Sequence, residues 1–241
     1  MKKYFVIGNP INHSLSPKLH NYWFKENKIN AVYEKIKIDE NDLETMIARF
    51  KERQMNGINV TVPFKKTVIP YLDKLSLEAE LTQSVNTIIL DNDNLVGHNT
   101  DITGFIKAIK NVNFNIKGKK IFILGAGGVV PSIIFALNKM NVSKIIISNR
   151  TKKKAEDLKS QFHNLEILDW GDINDFDVII NATSLGLNEE SIDLDFSKFA
   201  NNKLFYDVIY NPAETNFLKE GKKLGNITEN GKLMFIYQAF E

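Results

Sequence analysis

The chain has 241 residues, 43% of them hydrophobic and 25% charged, with 31 basic and 29 acidic residues and a formal net charge of +2. Those proportions belong to a globular protein of one or two domains. So even a balance argues against a nucleic-acid or membrane-surface role, which needs a concentrated basic patch. There is no cysteine, which excludes disulfides, thiolate nucleophiles and cysteine metal sites, and the four histidines (His13, His20, His98 and His163) show no metal-ligand spacing, so no metal is expected.

Tyr4 to Ile7 reads as a short buried strand closed by Gly8-Asn9-Pro10, too brief for a signal-peptide core. No later stretch is long enough to span a membrane. The expectation is a cytoplasmic enzyme or binding protein. Ser16 followed by Pro17 predicts a helix start, with Ser16 as the hydroxyl N-cap. Leu19, Tyr22 and Trp23 give that helix an apolar stripe. Ser14 and Ser16 also place two hydroxyls near helix N–H donors, where a carboxylate could bind; from the residues alone, capping by Ser16 with Ser14 in the loop is the preferred reading. Tyr33 to Ile38 predicts a strand, Asp39 to Asn41 supplies caps, and Leu43, Met46, Ile47 and Phe50 mark the buried face of a second helix.

In Gly57-Ile58-Asn59-Val60-Thr61-Val62-Pro63-Phe64-Lys65, apolar Ile58, Val60 and Val62 alternate with Asn59 and Thr61, and Pro63 ends the strand. Lys65 then falls just beyond a strand end, where side chains of α/β folds meet ligands. It reads either as a solvated lysine or as an acid/base group. Ser76 caps a helix carrying Leu77 and Leu81, and residues 84–90 and 95–100 form strands around an Asp91-Asn92-Asp93-Asn94 turn. Asp101 closes that pattern and Thr103-Gly104-Phe105 opens the next helix; Asp101 as the N-terminal cap of that helix accounts for it without chemistry.

Beyond the polar seam at Lys117 to Lys120, Ile121 to Leu124 is the continuous apolar run of a central parallel strand. Gly125, Ala126, Gly127 and Gly128 follow, then a helix from Val129 to Met140 with Pro131 in its first turn. Strand, glycine turn and helix in this order make a pyrophosphate site, although Val130 fills the place of the third glycine of the usual fingerprint. Residues 144–148 form the next strand, which ends at Asn149, Arg150 and Thr151, followed by Lys152, Lys153 and Lys154. No carboxylate is there to bond a ribose 2′-hydroxyl, and the Arg150 guanidinium suits a 2′-phosphate, so NADP is the expected cofactor. Strands at 178–183 and 204–208 complete a βαβ alternation, which predicts a doubly wound parallel sheet.

Taken together, the motifs GNPINHSLSP (8–17), GINVTVPFK (57–65), SVNTI (84–88), NTD (99–101), GAGG (125–128), NRT (149–151), INATSLG (180–186), DVIYNP (207–212) and QAF (238–240) resemble the shikimate dehydrogenase family along nearly the whole chain. The resemblance implies NADP-linked interconversion of 3-dehydroshikimate and shikimate in a chorismate-building, aromatic amino acid pathway. It implies Lys65 and Asp101 as the catalytic pair, Ser14 and Ser16 on the substrate carboxylate, and Asn59, Thr61, Asn86, Tyr210 and Gln238 on the rest of the substrate. On the cofactor side it implies Gly125 to Val129, Asn149 to Lys154, Thr183, Val208 and Gly231. Val129-Val130-Pro131 and Leu77 depart from the family pattern, and the sequence stops soon after Gln238.

The implied architecture is α/β. A substrate-binding catalytic domain (1–101, rejoined by 232–241) and a Rossmann-like NADP-binding domain (102–231) would have a cleft between them. No nucleic-acid or membrane partner is expected, and the oligomeric state is taken as monomer or homodimer. Rival readings are a quinate/shikimate dehydrogenase with relaxed cofactor choice and a catalytically silent nucleotide-binding regulator on the same fold.

Overall fold

The computed structural model describes residues 1–188, 190–199 and 201–241. The chain divides into two compact units, Met1–Thr100 and Asp101–Glu241. The first contains β1 (Lys2–Gly8), α1 (Ser16–Glu26), β2 (Ala31–Lys37), α2 (Leu43–Lys51), β3 (Gly57–Val60), α3 (Phe64–Thr67), β4 (Lys74–Leu75), α4 (Leu77–Thr82), β5 (Thr87–Asp91) and β6 (Asn94–His98). Its six strands lie in the order β2-β1-β3-β5-β6-β4. β1 runs parallel to β2 and β3, whereas β5 is antiparallel to β3 and to β6. One face of this sheet is apolar. Ile7, Ile58, Val60 and Ile88 pack there under the expected stripe of α2, with Leu43, Met46, Ile47 and Phe50 all buried.

Three local expectations need correction. Helix α1 begins at Ser16 itself, with Leu15 at the N-cap and no side-chain cap bond. Ser16 therefore sits one position too late to cap, and its backbone N–H instead reaches the Ser14 hydroxyl at 3.4 Å. The packing face of α1 is also turned by one residue from the expected stripe. His20 stacks on Tyr33 at 4.2 Å and Phe24 lies 5.7 Å from Tyr4, while Tyr22 is 58% exposed. Val62, expected on the core face, is 53% exposed. The strand ends at Val60, because the Phe64 N–H donates to the Thr61 carbonyl (2.9 Å) and closes a turn before the alternation reaches Val62.

The second unit contains α5 (Asp101–Asn111), β7 (Lys120–Leu124), α6 (Val130–Lys139), β8 (Lys144–Ser148), α7 (Lys152–Gln161), β9 (Leu165–Leu168), β10 (Val178–Asn181), β11 (Leu204–Asp207), α8 (Asn216–Lys223), β12 (Ile227–Glu229) and α9 (Lys232–Phe240). Its sheet has the order β12-β11-β10-β7-β8-β9 and every pairing is parallel. The chain winds outward from β7 to β8 and β9, then returns to β10 and winds the other way, so the order reverses between β7 and β10. Ile121, Phe122, Ile123 and Leu124 are buried completely, as a central strand covered on both faces requires.

The last helix, read from sequence as rejoining the first domain, lies with the second unit along α5. The approach is close enough that a Cβ on Gly104 would fall 2.7 Å from Gln238 Cβ and 2.9 Å from the Met234 carbonyl. Only glycine allows that contact. Among the described residues, no helix is long and apolar enough to cross a membrane.

Candidate active site

In the first unit the polar residues singled out from sequence gather at one end of the sheet. Asn59, on β3, accepts a hydrogen bond from the Tyr33 hydroxyl on its Oδ1 (2.6 Å). Its Nδ2 donates to the Asn86 carbonyl (3.1 Å) and to Thr87 Oγ1 (2.9 Å). Asn86 is buried, and its Oδ1 accepts from Thr87 Oγ1 (3.0 Å) and from the Thr100 N–H (2.9 Å), while its Nδ2 donates to Thr100 Oγ1 (2.9 Å). The neighbouring Val85 N–H donates to the Lys65 carbonyl at 2.8 Å, which ties the start of α3 to the same segment. Thr61 is held by its N–H to the Ile7 carbonyl (3.0 Å). Lys65 and Thr61 are half-buried.

Burial governs ionisation beside this cluster. It pushes the Tyr33 phenol well above its ordinary range, so the hydroxyl remains a donor across the working pH range. It lowers His20 to about 4, so the ring stacked on Tyr33 is neutral near pH 7. Ser14 and Ser16 are half-buried, and the Ser16 hydroxyl is not used in capping, which removes the simpler explanation for it.

In the second unit Asp101 is the first residue of α5 and 5% exposed. It precedes Gly104 by one turn, so it lies on the α5 face that meets Gln238. Gln238 donates from Nε2 to the Phe235 carbonyl (2.9 Å), and the Phe235 ring stacks on Tyr210 at 4.6 Å. Asp101, Tyr210 and Gln238 are thus placed by α5, α9 and the segment after β11.

The remaining predicted residues sit at the carboxyl ends of the parallel strands. The glycine turn follows β7, and the Gly125 N–H donates to the Ser148 carbonyl (2.8 Å), bringing the turn beside the end of β8. Gly125 has a φ of +107°, and a Cβ there would fall 2.8 Å from the Ala182 carbonyl, so the fold itself demands glycine. Gly127 is different. It is exposed, and a Cβ would meet only the Ala182 carbonyl at an ordinary 3.8 Å. It lies at the N-terminus of α6, where the N-cap Val129 has no side-chain cap bond among the described residues, and a close-lying phosphate requires such a place. Val130, in the third-glycine place, is buried in the core, which accounts for that departure from the fingerprint.

Beyond β8, Lys152 pairs with Asp169 (2.7 Å) and Lys153 with Asp157 (3.1 Å). Arg150 and Lys154 are exposed and pair with no carboxylate among the described residues. Asn149 donates from Nδ2 to the Thr151 carbonyl (2.8 Å), shaping the turn that presents Arg150. Exposed cations beside a glycine turn at the point where strand order reverses fit a dinucleotide with an extra phosphate.

A buried network that sequence reasoning missed braces the other side. Asp207 accepts from Thr215 Oγ1 (2.6 Å), the Ile209 N–H (2.9 Å) and Asn181 Nδ2 (3.1 Å). Burial raises its carboxyl above the usual range, and these three bonds oppose the shift. Asn181 Oδ1 in turn accepts from the Thr183 hydroxyl (2.7 Å). Val208 and Gly231 are brought together so tightly that a Cβ on Gly231 would collide with the Val208 carbonyl. Such pairings, many residues apart, leave no periodic signal in the sequence.

A parallel sheet of this order, with its glycine turn at the reversal, defines a dinucleotide-binding α/β domain, here joined to a separate α/β unit. Family profiles place both parts. The shikimate dehydrogenase substrate binding domain matches residues 6–88, and shikimate / quinate 5-dehydrogenase matches residues 107–192. The chain is 58% identical over 241 residues to the NADP(+) shikimate dehydrogenase of Pelagibacter ubique (strain HTCC1062), covering 99% of this chain and 91% of that protein. The crystal structure of shikimate dehydrogenase from Aquifex aeolicus superposes with a TM-score of 0.92 at 37% identity, covering 99% of this chain and 90% of that one. The shikimate 5-dehydrogenase of Thermus thermophilus, solved in complex with NADP(H) and shikimate, superposes with a TM-score of 0.90 at 30% identity, covering 99% and 90%. The chain belongs to the shikimate dehydrogenase family.

Proposed function

We propose that the protein is an NADP-dependent shikimate dehydrogenase, interconverting 3-dehydroshikimate and shikimate, with Lys65 and Asp101 as its acid/base pair. The reading is supported by membership over 99% of the chain and by one feature of the first unit. The Val85 N–H holds the Lys65 carbonyl while the adjacent Asn86 holds Thr100, the residue before Asp101. Two consecutive residues thus anchor the Lys65 backbone and Thr100, the last residue of the first unit.

When bound, NADPH supplies the hydride that reduces the carbonyl carbon. Gly127, the open end of α6, Arg150 and Lys154 would hold the cofactor's phosphates. Lys65, as an ammonium, stabilises negative charge growing on the carbonyl oxygen and delivers the proton that completes the alcohol. Asp101 orients Lys65 and a neighbouring substrate hydroxyl. In the reverse direction Lys65 takes that proton back. Ser14 and Ser16 bind the ring carboxylate, and Asn86, Thr61, Tyr210 and Gln238 bind the ring's oxygens. Asn59 joins them in the substrate-binding set, and its amide also bonds the Asn86 carbonyl. The protein is expected in the cytoplasm as a monomer or homodimer, which size-exclusion chromatography would distinguish.

The test is NADPH oxidation followed with 3-dehydroshikimate, together with NADP+ reduction by shikimate and by quinate. Turnover of shikimate well above quinate is expected. Binding of NADPH without turnover of either ring would refute the reading in favour of a silent regulator.

A further inference from the structure

The turn that follows β8 carries no carboxylate of its own, yet the fold brings one to it from the neighbouring strand. Leu168 on β9 pairs with Ser148 on β8, so Asp169 leaves its strand level with Asn149. Adjacent strands lie about 5 Å apart. The Asp169 carbonyl accepts from the Ser148 hydroxyl (3.2 Å) and from the Asp172 N–H (3.1 Å), which holds its backbone at this edge. Its carboxylate thus stands beside the turn that presents Arg150. Lys152, the first residue of α7, meets it with Nζ 2.7 Å from Oδ1. The two side chains are 58% and 65% exposed, and ion pairs so exposed contribute little to stability. The hydrogen bond and charge of Asp169 hold the Lys152 ammonium above its ordinary pKa, and the charge of Glu156, one turn along α7, adds to this.

We propose that Lys152 determines cofactor specificity as a screen and not as a phosphate ligand: it neutralises Asp169, whose bare carboxylate would repel the 2′-phosphate of NADP. The proposal rests on the reading that this edge takes NADP. A carboxylate at the end of the second strand of a dinucleotide fold suits a ribose 2′-hydroxyl and opposes a 2′-phosphate. Here the carboxylate comes from the third strand and reaches the same edge. Charges are felt over about 8 Å at physiological ionic strength, so one strand spacing does not hide it. With its ammonium on Asp169, Lys152 makes a pair of no net charge, and Arg150 and Lys154 are left as the exposed cations of the rim. Loss of the Lys152 charge leaves a net negative charge at the rim, and loss of the Asp169 charge leaves a net positive one. The two substitutions therefore act in opposite directions on a 2′-phosphate, and together they restore neutrality.

The experiment measures dissociation constants for NADPH and NADH by nicotinamide fluorescence, which needs no turnover, in Lys152→Met, Asp169→Asn and the double variant. Lys152→Met should weaken NADPH binding about threefold to fivefold, the scale of one exposed charge interaction, and leave NADH binding unchanged. Asp169→Asn should tighten NADPH binding by a similar factor. The double variant should bind NADPH like the wild type, because its rim is again neutral. A double variant as weak as Lys152→Met would overturn the proposal and make Lys152 a direct phosphate ligand. Unchanged NADPH binding in Lys152→Met would overturn it too, as would equal losses for NADPH and NADH, which mark a merely structural role. The wild-type constants report separately on the premise: a wild type that does not prefer NADPH to NADH refutes the NADP reading and this proposal with it, whereas failure of the rescue refutes the screen alone.

Discussion

The two units build their binding surfaces by different means. In the first, side chains hold side chains: Tyr33, Asn59, Thr87, Asn86 and Thr100 form a buried, directional network with its amides already oriented. In the second, backbone does most of the work: glycines at 125, 127 and 231, strand ends and a helix start without a side-chain cap bond among the described residues form the edge, with exposed Arg150 and Lys154 at its rim. A small polar ring needs fixed donors at set angles, which a satisfied network supplies. A long anionic cofactor needs close backbone approach and positive charge, which glycine and helix ends supply.

Substitutions at the glycines should break this contrast most visibly. Gly231→Ala would force a methyl into the Val208 carbonyl. We expect a loss of at least about 3 kcal/mol, typical of severe overpacking, seen as a melting midpoint lowered by roughly 6–12 °C. Gly127→Ala meets only an ordinary 3.8 Å contact, so it should melt like the wild type and show its effect in KM for NADP(H) alone. Equal melting losses at both positions would contradict the division between fold-imposed and ligand-imposed glycine.

Arg150→Ala should come next, lowering the preference for NADP+ over NAD+ by about tenfold to a hundredfold as one charge-assisted phosphate contact is lost. Lys153→Ala, whose ammonium is engaged with Asp157, should leave that preference near the wild-type value. Measurement of kcat/KM for both cofactors checks the pair.

A smaller effect is expected in the first unit from His20. Burial lowers it from 6.5 to about 4. As pH falls through 6.5 the unfolded chain takes up a proton there and the folded protein does not, so this group's contribution is whole above pH 6.5 and is lost between there and about pH 4. The loss is on the order of 2–3 kcal/mol. Melting curves from about pH 7 to about pH 4.5 should fall more steeply for the wild type than for His20→Phe, and parallel curves would exclude the linkage.

The same contrast governs what could be read from the sequence. The glycine turn, the β7 run and the α2 stripe are local patterns, so both fold classes and the cofactor edge were legible. The face of α1 was not, because a one-residue rotation brings His20 and Phe24 inward in place of Tyr22, and that choice is made by stacking on Tyr33. The edge strand β12, with Ile227 as its single apolar residue, is too polar to announce itself, and it exists because the sheet beside it does. Asn59 was singled out by its position on a strand of alternating polarity. Its commitment to Tyr33 and Thr87 was not legible, since those partners lie far along the chain. Gly231 drew notice only through family resemblance, and its physical reason is the Val208 carbonyl.

The most direct test of the central claim is steady-state turnover of shikimate and NADP+ by Lys65→Ala. The account predicts that kcat falls by about two to four orders of magnitude, the range for a positioned acid/base group, while KM for shikimate changes little and the melting temperature is kept. A kcat near the wild-type value, with the loss appearing only in KM, would contradict it.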